Sequence, residues 1–263
     1  MIIRRLILLS VLVVMGLPSD TLGQLVTADA VETELTRLDG PVEVPQPTRW
    51  LKQFGGDISS LWSDELFLWL AFGGGLTLAA GPEADHDVVQ RVAHDPTFRG
   101  LFWAGRVNVG DVLGQHYTHI GIPAAIAMAG LFAGNESAVE AGSDLLRAQL
   151  VNGLFTRALK LAPRQRPSGG HASFPSGHTS ASFTTAAVLW RRWGWKAGLP
   201  AVAVATYVGA SRLDRHHYLS DVAFGATIGT IVGTSVKINA RQSHLTVAPM
   251  VNRDAVGFTV NLR

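Results

Sequence analysis

The chain contains no cysteine and few charged residues. None of its 263 residues is cysteine, which excludes disulfides, thiolate nucleophiles, cysteine metal sites and a cysteine-linked lipoprotein anchor. Charged residues make up 16% and the formal net charge is only +2, so no strong positive field attracts nucleic acid. An anion-binding site must therefore arise from a local cluster of cations. The 47% of hydrophobic residues suffices for a large core and excludes a disordered chain.

Apolar runs of the roughly 17–25 residues that usually span a bilayer are also lacking. Shorter uncharged stretches occur instead, and either the buried helices of a bundle or membrane-embedded helices explain them. They cover Leu66–Ala80, Ile120–Gly134, Ala181–Trp190, Leu199–Ala210 and Val222–Val236. Gly225, Gly229 and Gly233 would allow close helix packing in either setting. The sequence thus predicts a mainly α fold, a helical bundle, and leaves membrane association open.

The N-terminus has the pattern of an export signal. Arg4 and Arg5 precede an apolar run from Leu6 to Leu17, and small residues follow it. We predict a signal peptide over residues 1–23, with cleavage after Gly23 or after Ala30. An uncleaved anchor helix is the alternative, but the run is short for a hydrocarbon core roughly 30 Å thick at about 1.5 Å per residue. The predicted location is therefore exported, either periplasmic or attached to the inner membrane and facing the periplasm.

Composition divides the remainder into three parts. Residues 24–55 include a proline-containing stretch with few apolar positions and are predicted to be an extended N-terminal segment. Residues 56–240 form the predicted helical domain. The tail, 241–263, ends in a run in which Val256, Phe258, Val260 and Leu262 alternate with small or polar residues. This period of two predicts a strand, and the preceding apolar run predicts a small β-hairpin.

One long helix is readable from its periodicity. A capping-box spacing runs from Ser137 to Glu140, and apolar residues then recur every four positions up to Ala158. Pro163 should end this helix. Lys160 therefore lies in its last turn, either as a cation that stabilises the helix C-terminus or as part of whatever follows.

The densest polar cluster lies between apolar segments, from Lys160 to Asp221. Buried charges are costly unless they pair or bind something, and here cations and histidines outnumber carboxylates. Arginine suits phosphate oxygens because its planar fork donates two hydrogen bonds and stays charged. The cluster therefore predicts an anion site. Its predicted members are Lys160, Arg166, Ser176, Gly177, His178, Arg212, His217 and Asp221.

Two segments of this cluster carry chemical signals. Pro175-Ser176-Gly177-His178 precedes a helix-forming stretch, so its backbone N–H groups could cradle an anion, although a helix cap alone would also explain Pro-Ser-Gly. His217 and Asp221 have a spacing at which the carboxylate can orient the imidazole and leave its other nitrogen nucleophilic. A His–Asp pair is often only structural, but a second histidine and several arginines favour the chemical interpretation.

These blocks, in this order, resemble the type 2 phosphatidic acid phosphatase superfamily, which also contains bacterial class A acid phosphatases and vanadium haloperoxidases. The family pattern is K-x6-R-P, then P-S-G-H, then S-R-x5-H-x3-D. The second block matches in full at residues 175–178. Arg166-Pro167, Ser211-Arg212 and the His217–Asp221 spacing match as well. The resemblance implies a helical bundle of the phosphatidic acid phosphatase/haloperoxidase type.

Two spacings depart from the family pattern. Five residues, not six, separate Lys160 from Arg166, which leaves the role of Lys160 open, and Arg164 is an alternative. Four residues, not five, separate Arg212 from His217, so His216 competes with His217 as the nucleophile. The intact spacing to Asp221 favours His217.

The resemblance assigns a role to each matching residue. Lys160, Arg166 and Arg212 would hold the phosphoryl oxygens, with hydrogen bonds added by Ser176 and by the Gly177 N–H. His217, oriented by Asp221, would form a phosphohistidine. His178 would protonate the leaving alcohol and then activate water. The implied reaction needs no metal and no cofactor, because fixed cations stabilise the developing charge.

The predicted function is hydrolysis of a phosphate monoester, a lipid phosphate or a lipid diphosphate. The partner is thus a phosphorylated lipid or small molecule, not nucleic acid. A vanadate-dependent haloperoxidase, with vanadate in the same pocket, is one alternative. A non-catalytic helical scaffold with a degenerate site is the other. His116 and His119 are expected to lie far from the three blocks and give no metal pattern.

Overall fold

Helices make up most of the described chain in this computed structural model. The structure describes residues 47–61, 64–161, 166–167, 169, 172–213, 216–238, 245–252 and 255–262. The predicted signal peptide and its cleavage sites, Arg164 and the first part of the predicted extended segment lie outside these residues. The helices are α1 Pro47–Ser60, α2 Asp64–His94, α3 Pro96–Gly100, α4 Val109–Gly114, α5 His116–Phe132, α6 Glu136–Leu159, α7 Gly177–Trp193, α8 Trp195–Ser211 and α9 Leu219–Ser235. The strands are β1 Trp103–Ala104, β2 Val107–Asn108, β3 Leu245–Asn252 and β4 Ala255–Leu262.

The sequence-based boundaries need two corrections. Residues 47–55, assigned to an extended segment, lie in helix α1 instead. Proline is compatible with a first helical position, where its missing N–H has no partner to lose, so Pro47 begins the helix rather than preventing it. Helix α6 begins before the predicted capping box, because the side chain of Asn135 accepts a hydrogen bond from the Ala138 N–H at 3.1 Å and caps it. The predicted end of α6 is confirmed, with Lys160 as its C-cap residue.

Helix α7 is the centre of the bundle and packs against α6, α8 and α9, while α9 also packs against α2. The core between these helices contains Leu145, Val151, Val188, Ile228 and Val232, all with at most 3% of their surface exposed. Burial of each such side chain stabilises the fold by about 1.5–3 kcal/mol relative to exposure. The mainly α fold class is thus confirmed.

A row of glycines on α9 sets the distance between α7 and α9. A Cβ atom added at Gly225 would lie 2.6 Å from the Ser176 oxygen, and one added at Gly229 would lie 2.2 Å from the Ser180 oxygen. Gly233 has the same relation to Thr184 at 2.7 Å. No larger residue fits at these contacts without moving the helices apart. The predicted close packing of these glycines is confirmed.

A buried ion network joins helices α1, α6 and α7. Arg147 is fully buried and contacts Asp57 at 3.5 Å and Asp144 at 2.8 Å. Arg192, at the C-terminal end of α7, contacts the other oxygen of Asp144 at 2.8 Å. Burial raises the pKa of Asp57, and the Lys237 N–H and the charge of Arg147 oppose that effect. The network links α1 to the bundle at the end of α7 that lies away from His178.

The tail forms the predicted hairpin. Strands β3 and β4 pair antiparallel, with Leu245 opposite Leu262 and Asn252 opposite Ala255. A second, short hairpin of β1 and β2 leads directly into α4. Over the described ranges, none of the helices combines the length and apolarity that crossing a membrane requires.

Candidate active site

Four helix ends meet at one end of the bundle and carry the three predicted blocks. Helices α6 and α8 end there, and α7 and α9 begin there. Two hydrogen bonds tie the ends together around the turn before α7. The Lys160 ammonium donates to the Pro175 carbonyl at 2.8 Å, and the Ser176 N–H donates to the Asp221 carbonyl at 3.0 Å. Segments that are far apart in the sequence therefore adjoin in the fold.

Lys160 and Arg166 form one positive side of this cluster. Burial lowers the pKa of Lys160, the charge of Arg166 lowers it further, and Asp221 opposes the shift. These effects show that all three groups lie close enough to interact. The Nε of Arg166 is buried and makes no hydrogen bond with the described residues. The shortened spacing between Lys160 and Arg166 therefore does not remove Lys160 from the cluster.

The turn of residues 175–178 begins helix α7, as predicted. Ser176 is its N-cap, and the Ser176 hydroxyl lies 2.9 Å from the Thr179 hydroxyl and 3.5 Å from the Thr179 N–H. Ser176 is fully buried, so its side chain acts as a helix cap in this conformation. Gly177 is the first helical residue and leaves its N–H at the positive end of the helix dipole. The phosphate-binding roles of both residues stay predictions.

His178 follows this turn and lies in a strongly cationic environment. Its pKa is lowered to about 3, mostly by burial and then by the charge of Arg212; Asp111 opposes the shift, and His217 and His116 add to it. Without a bound anion, His178 is therefore a neutral base near pH 7. A phosphate dianion beside it would favour the imidazolium form, so substrate binding and protonation of His178 are coupled.

Arg212 is the C-cap residue of α8, and its guanidinium is buried. Its Nη1 lies 2.5 Å from the Asp111 carboxylate. The same carboxylate oxygen lies 3.2 Å from the Nε2 of His178. Asp111 thus contacts two predicted site residues at once. Sequence reasoning missed Asp111, because a single aspartate in α4 carries no motif and lies 101 positions from Arg212.

His217 is buried beside Asp221, and their Nδ1 and Oδ2 atoms are 3.6 Å apart. That distance is longer than a hydrogen bond, but catalytic contacts often shorten when substrate binds. Ser173 lies between them: its hydroxyl donates to Asp221 Oδ2 and lies 3.4 Å from His217 Nδ1. The Tyr218 N–H also donates to Asp221 Oδ2, at 2.9 Å. These contacts orient the carboxylate toward Nδ1 and leave Nε2 of His217 as the nitrogen available for chemistry.

A backbone hydrogen bond connects His217 to the end of α8. The His217 N–H donates to the Arg212 carbonyl at 3.0 Å. His217 is buried next to Asp221, whereas His216 is only partly buried. Burial lowers the pKa of His217, Asp221 opposes the shift, and Lys160 and Arg212 add to it. His217 is therefore the neutral imidazole that an attack on phosphorus requires, and its role as nucleophile stays a prediction.

The expectation that His116 lies far from the three blocks is wrong. His116 begins α5 and interacts electrostatically with His178 and Lys160. Sequence distance concealed this, because only the packing of α5 against α6 brings the residue to the cluster. His119 instead contacts Ser182 at 3.1 Å and Thr185 at 2.9 Å, and is a core histidine.

The arrangement can bind a small anion and transfer a group from it. Three cationic side chains and a helix N-terminus converge on one region, as phosphoryl binding requires. A neutral buried imidazole with an oriented carboxylate provides a nucleophile. A second imidazole provides a site for a proton.

Comparisons with known proteins identify one family model, one curated relative and one solved structure that are similar to this chain. The family model of the PAP2 superfamily matches residues 141–243. Over 125 residues the chain is 31% identical to a lipid A 1-phosphatase of Porphyromonas gingivalis. The aligned region makes up 46% of this chain and 26% of that protein. The match therefore spans about a quarter of that relative's length. Among solved structures, the fold is similar to a transmembrane PAP2 type phosphatidylglycerolphosphate phosphatase from Bacillus subtilis, with a TM-score of 0.50, 17% identity and coverage of 73% of this chain and 94% of that one.

Proposed function

We propose that the chain is a member of the PAP2 superfamily, whose family model matches residues 141–243, and that it is a phosphohydrolase acting on a phosphate monoester, a lipid phosphate or a lipid diphosphate. One observation carries the proposal. The ends of α6, α7, α8 and α9 bring Lys160, His178, Arg212 and the His217–Asp221 pair into one buried, positively charged region. A region with this charge suits the anionic oxygens of a phosphoryl group, and its two histidines provide a nucleophile and a proton donor.

In the first step, Nε2 of His217 attacks phosphorus. The N–P bond forms as the P–O bond to the alcohol breaks, and the departing oxygen takes the electron pair together with a proton from His178. Lys160, Arg166 and Arg212 stabilise the charge on the phosphoryl oxygens, and Asp221 stabilises the positive charge that develops on His217. Fixed cations thus supply the electrostatic stabilisation that a metal ion supplies in other phosphatases, so we propose a metal-independent reaction.

In the second step, water replaces His217 on phosphorus. His178, now neutral, accepts a proton from the water as its oxygen attacks. The N–P bond breaks, its electron pair returns to His217, and inorganic phosphate leaves. The proton balance closes only if His178 alternates between imidazolium and imidazole, which its position beside both the anion site and Asp111 supports.

Apolar side chains near the cluster favour a lipid substrate. Tyr117 follows His116 and is 65% exposed, and Leu161 follows Lys160 and is 85% exposed. Val112, next to Asp111, is also exposed. Apolar side chains at the entrance of the site would give the acyl or isoprenoid chain of a lipid a surface to contact. Both relatives are also named for phosphorylated lipids, so we propose a lipid phosphate as the first substrate class to test.

The decisive experiment is a substrate screen of the purified chain. Phosphatidic acid, an isoprenoid diphosphate and an aryl phosphate should be compared by phosphate release in mixed micelles, with orthovanadate as the inhibitor. We expect vanadate-sensitive release with no added metal, undiminished by a chelator. Release that appears only with a divalent metal would contradict the metal-independent reaction, and no release from any of the three would contradict the hydrolase.

A matched pair of histidine variants tests the nucleophile. His217→Ala should abolish turnover, whereas His86→Ala, at an exposed histidine of α2, should leave it unchanged. Acid-labile phosphate should be recovered from the acid-quenched wild type but not from His217→Ala. Turnover that persists in His217→Ala and is lost in His216→Ala would transfer the role to His216.

We further propose that the chain acts outside the cytoplasm, at a membrane surface. The charge and length of residues 1–23 support export, and the exposed apolar residues near the site support membrane association. Fractionation of cells that express the whole chain tests both statements. Recovery in the cytoplasmic fraction would contradict them.

A further inference from the structure

Asp111 is the one carboxylate in the described cluster that contacts both a phosphate-binding arginine and the proposed proton donor. Its Oδ1 lies 2.5 Å from Arg212 Nη1 and 3.2 Å from His178 Nε2. Its other oxygen, Oδ2, accepts a hydrogen bond from the Gln115 side chain at 3.0 Å. Both oxygens are thus engaged and the carboxylate has a defined orientation.

The backbone also holds Asp111 in place. Its N–H donates to the Asn108 side chain at 2.9 Å, which caps α4. Gly110 packs so tightly against Ser211 that an added Cβ would lie 2.2 Å from the Ser211 hydroxyl. Helix α4 is therefore fixed against the end of α8, directly before Arg212.

We infer that Asp111 is a positioning residue that orients Arg212 toward the phosphoryl group and stabilises the protonated form of His178 for departure of the alcohol. This inference rests on the proposed function and deepens it. Among the described residues, Nε2 of His178 has no hydrogen-bond partner, although Asp111 lies within 3.2 Å of it. Their separation is short enough for a strong Coulomb interaction, whereas their geometry does not form a hydrogen bond. The carboxylate therefore acts on the imidazolium by charge and leaves the N–H available to the leaving oxygen.

The groups around His178 explain why such a carboxylate is needed. Arg212, His217 and His116 all disfavour a proton on His178, and burial disfavours it most. Asp111 is the group that opposes them. Burial would raise the pKa of Asp111, but Gln115, Arg212 and the two neighbouring histidines outweigh it and keep the pKa low, so Asp111 is ionised when it is needed.

The experiment compares Asp111→Asn with the wild type on two phosphate monoesters. A lipid or alkyl phosphate has a poor leaving group that needs a proton, whereas an aryl phosphate such as p-nitrophenyl phosphate leaves without much assistance. Loss of general-acid assistance typically costs about 10²-fold or more. We expect kcat for the alkyl substrate to fall about 10- to 100-fold, and kcat for the aryl substrate to fall only a few-fold.

The pH profile gives the second measurement. Because a neighbouring carboxylate favours the imidazolium, its removal lowers the pH above which His178 loses its proton. The alkaline limb of the alkyl kcat profile should therefore move to lower pH in Asp111→Asn and return toward the wild type in Asp111→Glu. The Asp87→Asn variant removes an exposed carboxylate of α2 and should change neither profile.

Three outcomes would overturn the inference. Equal losses on both substrates with an unmoved pH profile would mean a merely structural residue. Tighter vanadate inhibition together with a higher kcat would mean that Asp111 blocks the anion site instead. If Asp111→Asn fails to fold, Gln115→Ala must reproduce the same substrate-selective loss in weaker form, and a full alkyl rate in that variant would refute the role. Absence of phosphate release by the wild type from both substrates would instead count against the proposed function.

Discussion

The packing of α7 on α9 leads to a prediction that joins stability to activity. In Gly229→Ala the new Cβ would lie 2.2 Å from the Ser180 carbonyl oxygen and 2.8 Å from Phe183 Cβ. Ordinary contacts begin near 3.4 Å, so the two helices must separate by about 1.2 Å at this point. The first of these contacts is with backbone, which cannot rotate away as a side chain can.

The magnitude follows from two opposing effects. Overpacking of a tight contact costs typically 1–3 kcal/mol, and a backbone clash of this size belongs at about 3 kcal/mol. Alanine is better than glycine in a helix by about 1 kcal/mol, which offsets part of that cost. We therefore expect Gly229→Ala to lower the free energy of unfolding by about 2 kcal/mol.

Activity should fall as well, because the contact lies close to the site. Ser180 lies two residues after His178 at the start of α7, while Asp221, in the other half of the site, lies in the first turn of α9. A displacement of about 1 Å between reacting groups can cost about 100-fold in rate. We expect kcat/KM to decrease by that order even under conditions in which the variant is fully folded.

Gly153→Ala is the matched control, since Gly153 lies inside helix α6 with nothing within 4 Å of an added Cβ. It should gain about 0.5–1 kcal/mol and keep full activity. Urea denaturation followed by circular dichroism measures the first quantity, and steady-state hydrolysis measures the second. A Gly229→Ala variant as stable and as active as Gly153→Ala would refute the close approach of α7 and α9.

Three further predictions concern buried polar groups. Burial lowers the pKa of His119 from 6.5 to about 4, so between these pH values the unfolded chain binds more protons than the folded one. The free energy of unfolding should therefore fall by about 2 kcal/mol from pH 7 to pH 5 because of this residue. Urea titrations at both pH values should show a smaller fall in His119→Gln. Arg147→Met leaves Asp144 buried without this partner and should cost about 3–5 kcal/mol; a loss below about 1 kcal/mol in urea titration would contradict the importance of the network. Ser173→Ala removes one hydrogen bond to Asp221 and should lower kcat about tenfold, far less than Asp221→Ala in the same assay; equal losses would mean that Ser173 does more than orient the carboxylate.

Much of the fold could be predicted because it depends on local patterns. The apolar segments predicted helices without reference to neighbours, and the alternation at Val256–Leu262 predicted a strand that pairs as expected. The glycines of α9 indicated close packing, since a residue without a side chain in an apolar helix is otherwise unfavourable. The start of α1 was missed because Pro47 is equally compatible with an extended chain and with a first helical turn.

The sequence by itself determined which groups could carry the chemistry. Residues 175–178 and the His217–Asp221 pair lie within short stretches whose spacing is dictated by one turn or one helix start, so their residue types were readable. Asp111, Ser173 and His116 lie on other segments, and only tertiary packing decided that they join the site. Their effects depend on distances of a few ångströms between elements far apart in the chain, because Coulomb interactions and hydrogen bonds depend on distance in space and not on distance along the sequence.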